Sequence, residues 1–393
     1  MNRTAVNRTL AGVGAGVTLT LLSELRAGPA DRRRTARWRS LPIPPRGGTR
    51  LGLSFRPRQC EDLALAPRET LKTLLDFPYE VIRLAAYWDR IAPQPGVREH
   101  GELDWQLEAA ERAGKEVIVN LGAVKSFGYP EYFVPPHLLD APLPEGRLIT
   151  PETHPRLLAA ATAHLTDLVA RYADRSSIIA WQVEHDAVDP LGMEHSWRLS
   201  REFVRHEVAA VRRADATRPV LLNGFLPMST FVTAHQWSRT RDQGDSVDVA
   251  VDLGDIVGID SYPRHALAAA GSWSLYLDGA DGWLPRTRRR RVLRRVVESG
   301  RRLMVTEGQA EPWEAVTVPP DPAGRSAASC PPDRLIANYA RWQGWAARSG
   351  VDLDTYLFWG AEYWVRRRDG GDPSYLAAFA RVLGAADDVR TRR

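Results

Sequence analysis

Only two of the 393 residues are cysteine. Cys60 and Cys330 stand far apart and offer neither a disulfide framework nor a metal-ligand spacing. Histidine is equally scattered. His195, His235 and His265 fall in no H-x-x-x-H or H-E-x-x-H pattern, which disfavours a metal hydrolase; no metal and no cofactor is expected. A glycine-rich phosphate turn is missing after the first apolar run, where RPRQCEDLALAP follows instead. That argues against a doubly wound nucleotide-binding sheet. Neither charge sign dominates, because 53 basic residues are set against 48 acidic ones for a net charge of +5. A nucleic-acid partner is therefore not expected. The densest basic run, RTRRRRVLRRVV at 286–297, has apolar positions at helical spacing and reads as a solvated helix face.

Long hydrophobic runs are scarce too. Residues 10–22 form an apolar stretch long enough for a signal-peptide core and short for a membrane span. Export or membrane association through residues 1–26, as a membrane-proximal leader, is as consistent with it as a cytoplasmic tail. Residues 27–49, rich in Arg, Pro and Gly, read as a linker. The organisation expected is a leader at 1–49, one folded unit at 50–384 and a basic tail at 385–393.

What is present is a rhythm. From residue 50, short runs rich in Val, Ile and Leu alternate with amphipathic stretches: RLGLSF, EVIRLA, EVIVNLG, IIAWQV, PVLLNG, DIVGID, RLMVTE and DTYLFWG. Continuous apolar strands alternating with helices imply a parallel sheet covered by helices. Eight such units predict an α/β fold, a (β/α)8 TIM barrel with long βα loops. Those loops carry Trp197, Trp237, Trp273 and Trp283, which suit a cleft for ligands with flat apolar faces.

Carboxylates stand at two strand ends, Glu184 and Asp186 after the fourth strand and Glu307 after the seventh. Side chains there project into one pocket, and a carboxyl pair across a pocket is what glycoside hydrolysis needs. A buried Glu can equally be the structural partner of an Arg, for which Arg83 on the second strand is placed.

Several segments together resemble the clan A retaining glycoside hydrolases, the group that holds family 5 cellulases, mannanases and β-galactosidase-like enzymes. VIRLAAYWDRIAPQPGV (81–97) is similar to the clan's second-strand segment, ELDWQLEAAERAGKEVIVNLG to the next helix and strand, and SFGYPEYFVP to the loop that follows. LMVTEGQAEPW (303–313) puts Glu307 at the nucleophile position. GIDSYP offers Tyr262 near it, and YLFWGAEYW supplies Trp359 for the eighth-strand Trp under the sugar. The resemblance covers roughly residues 50–384. It implies an oligosaccharide or glycoside substrate. Around the catalytic pair the substrate-binding set expected is Arg83, Trp88, Asn120, Lys125, Glu184, Tyr262, Trp313 and Trp359, with Trp88 and Trp359 flanking the sugar.

The chain departs from the clan at WQVEHD, where relatives often read W-Q-x-E-N-E. His185 replaces the Asn and Asp186 the acid/base Glu. Asp is one methylene shorter, so its carboxyl retreats by about 1.5 Å on a fixed backbone. Retaining chemistry wants the carboxyls about 5–5.5 Å apart and inverting chemistry about 6.5–9.5 Å. Three readings follow: Asp186, or His185, serves as acid/base in a double displacement; the enzyme inverts; or the acid is lost and the barrel is a degenerate, non-catalytic carbohydrate binder. Glu184, two residues before Asp186 and one layer deeper, is expected to form a hydrogen bond or ion pair, with Arg83 as a partner.

Overall fold

The structure is a computed structural model. It describes residues 23–29, 34–144, 146–189, 197–240, 242–270, 273–312 and 329–387. Eight strands close on themselves: β1 (Arg50–Ser54), β2 (Val81–Ala85), β3 (Glu116–Asn120), β4 (Ile178–Gln182), β5 (Val220–Phe225), β6 (Ile256–Ser261), β7 (Arg302–Gln309) and β8 (Leu353–Trp359). Neighbours run parallel in chain order, and β8 pairs with β1 to complete the ring. Each coincides with one of the eight apolar runs. The fold is the (β/α)8 barrel that the alternation of strands and helices predicts.

Strand alternation sorts the inward side chains into tiers. The lower tier is apolar: Val81, Ile118, Ala180, Leu221, Ile256, Met304 and Leu357 pack together inside the barrel. Gly52 takes the β1 place, since a Cβ there would lie 1.9 Å from the Val81 carbonyl oxygen. Two residues further along the same strands the lumen turns polar, with Arg83, Gln182 and Asn223, all buried. Above these an aromatic tier of Tyr87, Phe127, Phe133, Phe225, Tyr262 and Trp359 lines the C-terminal mouth. The larger core lies between the strands and the helices, among them Gly101–Arg112, Pro155–Tyr172, Arg201–Ala214, Trp283–Ser299 and Pro332–Ser349.

Part of the segment read as a linker takes part in the fold. Leu25–Pro29 pairs antiparallel with Trp273–Asp278, which forms a hairpin with Arg264–Ala270. Trp38 is buried, and the Arg381 guanidinium donates to the Leu41 carbonyl at 2.6 Å.

Candidate active site

Glu307 reaches the lumen because β7 is irregular. Its register against β6 shifts between Val305 and Glu307. An extra residue in one strand re-aims the next side chain. Thr306 and Glu307 therefore both serve the interior: Thr306 Oγ1 donates to Asp260 at 2.7 Å, and Glu307 meets Arg83 and Tyr262. Gly258 leaves the room, because a Cβ there would stand 2.8 Å from both the Asn223 Cβ and the Thr306 Cγ2.

The Glu307 carboxylate is held from two sides. Arg83 Nη2 donates to Oε1 at 2.5 Å, and the Tyr262 hydroxyl donates to Oε2. Arg83 is itself fixed, its Nε on Ser54 at 3.0 Å, its Nη1 on Gln182 at 3.4 Å and its guanidinium 4.1 Å over the Phe127 ring. Burial and the charge of Asp260 nonetheless push Glu307 up to about 8, against the pull of Arg83 and Tyr262.

His185 stands among the acids. Its Nδ1 is 2.9 Å from Asn223 Nδ2, 3.7 Å from Glu307 Oε1 and 3.8 Å from Asp260 Oδ2, while its Nε2 faces Asp186 Oδ2 at 4.0 Å. Burial, with Arg83 and Lys125 nearby, drives its pKa well down. A neutral ring that accepts from Asn223 at Nδ1 carries its proton on Nε2, toward Asp186. It is suited to donating a hydrogen bond rather than delivering a proton as imidazolium. The ring nitrogen and the two carboxylates come within 4.8 Å of one another, a spacing that a cation could span. Protein donors already occupy all three: Arg83 on Glu307, and Asn223 on both His185 and Asp260. A metal would have to compete with a guanidinium for the same oxygen.

Asp186 is pushed toward its neutral form. Burial and the charges of Asp260 and Asp189 raise it well above the usual carboxylate range, outweighing Lys125. It hydrogen-bonds to the Asp260 carboxylate. Its Oδ1 has no partner among the described residues. The residue has a φ of +43°, and Lys125 Nζ holds its carbonyl at 2.6 Å and that of Asp189 at 3.0 Å.

Other expected site residues lie elsewhere or are already committed. Glu184 does not pair with Arg83. A φ of +56° takes it off the strand alternation, and its carboxylate accepts from the Ala123, Val124 and Lys125 amides at 2.7, 2.8 and 2.6 Å. Its remaining partner is Glu207, buried on the helix Arg201–Ala214 and raised well above its usual pKa by burial and by the Glu184 charge. Asn120 spends its amide on the Glu184 carbonyl, the Gly122 amide and the Ser126 hydroxyl. The Lys125 ammonium braces the 186–189 turn. Trp88 does not flank the mouth; it stacks on His164 at 4.9 Å, in the layer between strands and helices. Trp359 is at the mouth, its ring 4.1 Å from the Arg56 guanidinium, which Glu311 and Glu362 grip. Trp313 lies outside the described residues. Of the four loop tryptophans, Trp197 packs edge-on against Tyr132, whereas Trp237, Trp273 and Trp283 are exposed on separate elements.

Sequence reading passed over Asp260 and Asn223, although both sit at the polar end of a strand in GIDSYP and VLLNGF. Arg56 and Glu207 gave no sequence signal, since their partners are remote in the chain.

A closed ring of eight parallel strands with ionisable groups gathered at its C-terminal mouth is a (β/α)8 barrel with its polar groups where such barrels place their sites. Among solved structures, the chain is similar to GH5_18 from Streptomyces cattleya in complex with GlcNAc. That likeness has a TM-score of 0.53 at 16% identity, over 88% of this chain and 81% of the other. It is similar also to a GH10 endoxylanase retrieved from a sugarcane soil metagenome, with a TM-score of 0.51 at 14% identity, over 86% of this chain and 97% of the other. At such identities the likeness is one of fold. No family model matches the chain. No curated protein matches it either.

Proposed function

We propose that the protein hydrolyses β-glycosidic bonds by a double displacement, with Glu307 as nucleophile and Asp186 as acid/base. The observation that carries this is a difference in environment. Glu307 accepts from an Arg and a Tyr, whereas Asp186 has no such donors among the described residues and the charge of Asp260 raises it. Burial raises both carboxyls, so what distinguishes them is the pair of donors on Glu307, which favours its anion, and the lack of such donors on Asp186. In the first step Glu307 attacks the anomeric carbon and the leaving oxygen takes the Asp186 proton. In the second, Asp186 as carboxylate takes a proton from water, the water oxygen attacks the same carbon, and Glu307 is released. His185 offers its Nε2–H to a sugar hydroxyl. Trp359 gives the sugar a flat apolar face. The substrate is an oligosaccharide or glycoside; the bound GlcNAc of the Streptomyces cattleya neighbour supports a sugar ligand.

A second reading rests on one observation. Asp186 lies against Asp260, whose charge raises it, and Asp stands where clan relatives hold Glu; on this reading the barrel binds sugars without cleaving them. Aryl β-glycosides separate the two, because such leaving groups need little acid assistance. Turnover lost in Glu307→Ala but largely kept in Asp186→Ala on the most activated substrate supports the retaining hydrolase. Sugar binding without turnover by the wild type on any glycoside of the panel supports the degenerate barrel.

A further inference from the structure

The helix Trp283–Ser299 buries Pro285, Arg289, Val292, Leu293 and Val296. Three of its seven arginines serve the fold. Arg288 pairs with Asp245, Arg295 with Asp248 and Asp252, and the Arg289 guanidinium lies 3.6 Å over Trp345. The outward face is different. Arg286, Arg290 and Arg294 are exposed and have no ion pair among the described residues. With Trp283 and Val297 they fall within an arc of about 80° along a helix about 25 Å long. This stripe is apolar at both ends, with Trp283 70% and Val297 49% exposed, and cationic between.

A second, independent observation concerns the start of the described chain. The Glu24 carboxylate binds Ser229 at 2.8 Å and the Thr230 amide at 3.0 Å. It also lies against Gly279 and Gly282, where an added Cβ would come within 2.5 Å and 3.1 Å of its atoms. One carboxylate thus pins residue 24 beside the starts of two helices. Phe231, half exposed, follows Thr230, and Trp283 follows Gly282. The apolar run of residues 10–22 therefore joins the fold next to the apolar end of the arginine stripe. No described helix is long and apolar enough to cross a membrane.

We propose that this face, formed by Trp283, Arg286, Arg290, Arg294, Val297 and Phe231, docks on an anionic lipid surface. Tryptophan favours the headgroup level and arginines attract anionic headgroups, and residues 10–22, which precede Glu24 in the chain, are apolar in sequence, the second signal that stable attachment needs. The test is co-sedimentation of the full chain with vesicles of phosphatidylcholine alone or of phosphatidylcholine mixed with phosphatidylglycerol. Binding should favour the anionic vesicles and fall with salt. Arg290→Glu combined with Arg294→Glu should weaken it by about 25-fold or more, with thermal stability unchanged. If that variant does not fold, Arg290→Gln with Arg294→Gln takes its place, with a loss in the same direction. Three results would overturn the proposal: equal sedimentation with both vesicle types, binding untouched by the substitutions, or indifference to vesicles with salt-sensitive binding to a DNA duplex.

Discussion

The carboxyl of Asp186 hydrogen-bonds to the carboxylate of Asp260. Asp260 in turn takes donors from Thr306 and Asn223, which favour its charged form against the burial that raises it. Two acids this close do not both ionise, so the fold itself selects which one carries the proton.

Replacing Asp260 with Asn removes the charge that raises Asp186. The alkaline limb of the pH–rate profile for kcat/KM should then move to lower pH. The loss should be largest, about 100-fold or more, on glycosides with poor leaving groups, where general acid help is greatest. An unmoved alkaline limb would remove Asp260 from this role.

Arg83 makes three polar contacts with one planar group, which Lys cannot reproduce. Arg83→Met removes the cationic partner of the buried Glu307 and leaves Tyr262 alone on its carboxyl. It should destabilise the fold by about 3–5 kcal/mol in denaturant titration and abolish turnover. Arg83→Lys should fold better yet still lose most activity. Wild-type activity in the Lys variant would count against the anchoring role.

Stability should depend on pH with a definite sign. Glu307 titrates at about 8 in the fold against an ordinary value of 4.5. A raised carboxyl adds its stability below the unfolded value and loses it as pH rises through the folded one. Asp189, raised to about 6, acts in the same direction at lower pH. The Tm should therefore decline from near pH 5 to near pH 9. Glu307→Gln should remove the decline between about 6 and 8 and lessen the slope below 6, where Asp189 still contributes.

Glu184 and Glu207 should respond differently to the same isosteric change. Glu207 is the protonated partner, so Glu207→Gln preserves a donor and should be nearly neutral at pH 7. Glu184 satisfies three buried amides, each worth about 1–3 kcal/mol if orphaned. Glu184→Ala should consequently lower the Tm sharply. Comparable melting temperatures for the two variants would show that the loop amides find other acceptors.

Trp88 and Trp359 separate packing from binding. Trp88→Ala should destabilise by about 3–5 kcal/mol, with KM for any turned-over glycoside unchanged. Trp359→Ala should raise KM several-fold with a smaller stability loss. Calorimetry and steady-state kinetics on both variants decide between these roles.

The barrel was legible because its strands are apolar on both faces, which leaves continuous runs of Val, Ile and Leu between amphipathic helices. Arg83 and Glu307 stood out because strand ends point into a common mouth, and Tyr262 because of the clan resemblance of GIDSYP. Counting by twos failed at Glu184, where a positive φ turns the chain off the strand. Lys125 and Asn120 stood in the right loop, but their partners are backbone carbonyls and amides, which carry no sequence mark. Asp260 was hidden inside an apolar strand, read for its Ile and Val. The pairing of Leu25–Pro29 with Trp273–Asp278 spans some two-thirds of the chain, and no local pattern announces it.

The register of β1 against β8, with Leu51 opposite Tyr356, also shapes how the protein is made. The first strand of the ring cannot be paired on both edges until the last has left the ribosome. During that interval β1 and the growing sheet present an open edge and an uncovered apolar lumen. Contacts of such long sequence separation close slowly, and exposed strand edges invite self-association meanwhile. A nascent chain stalled before residue 353 would thus be a client for chaperones, whereas one released beyond residue 359 would carry all eight strands of the ring.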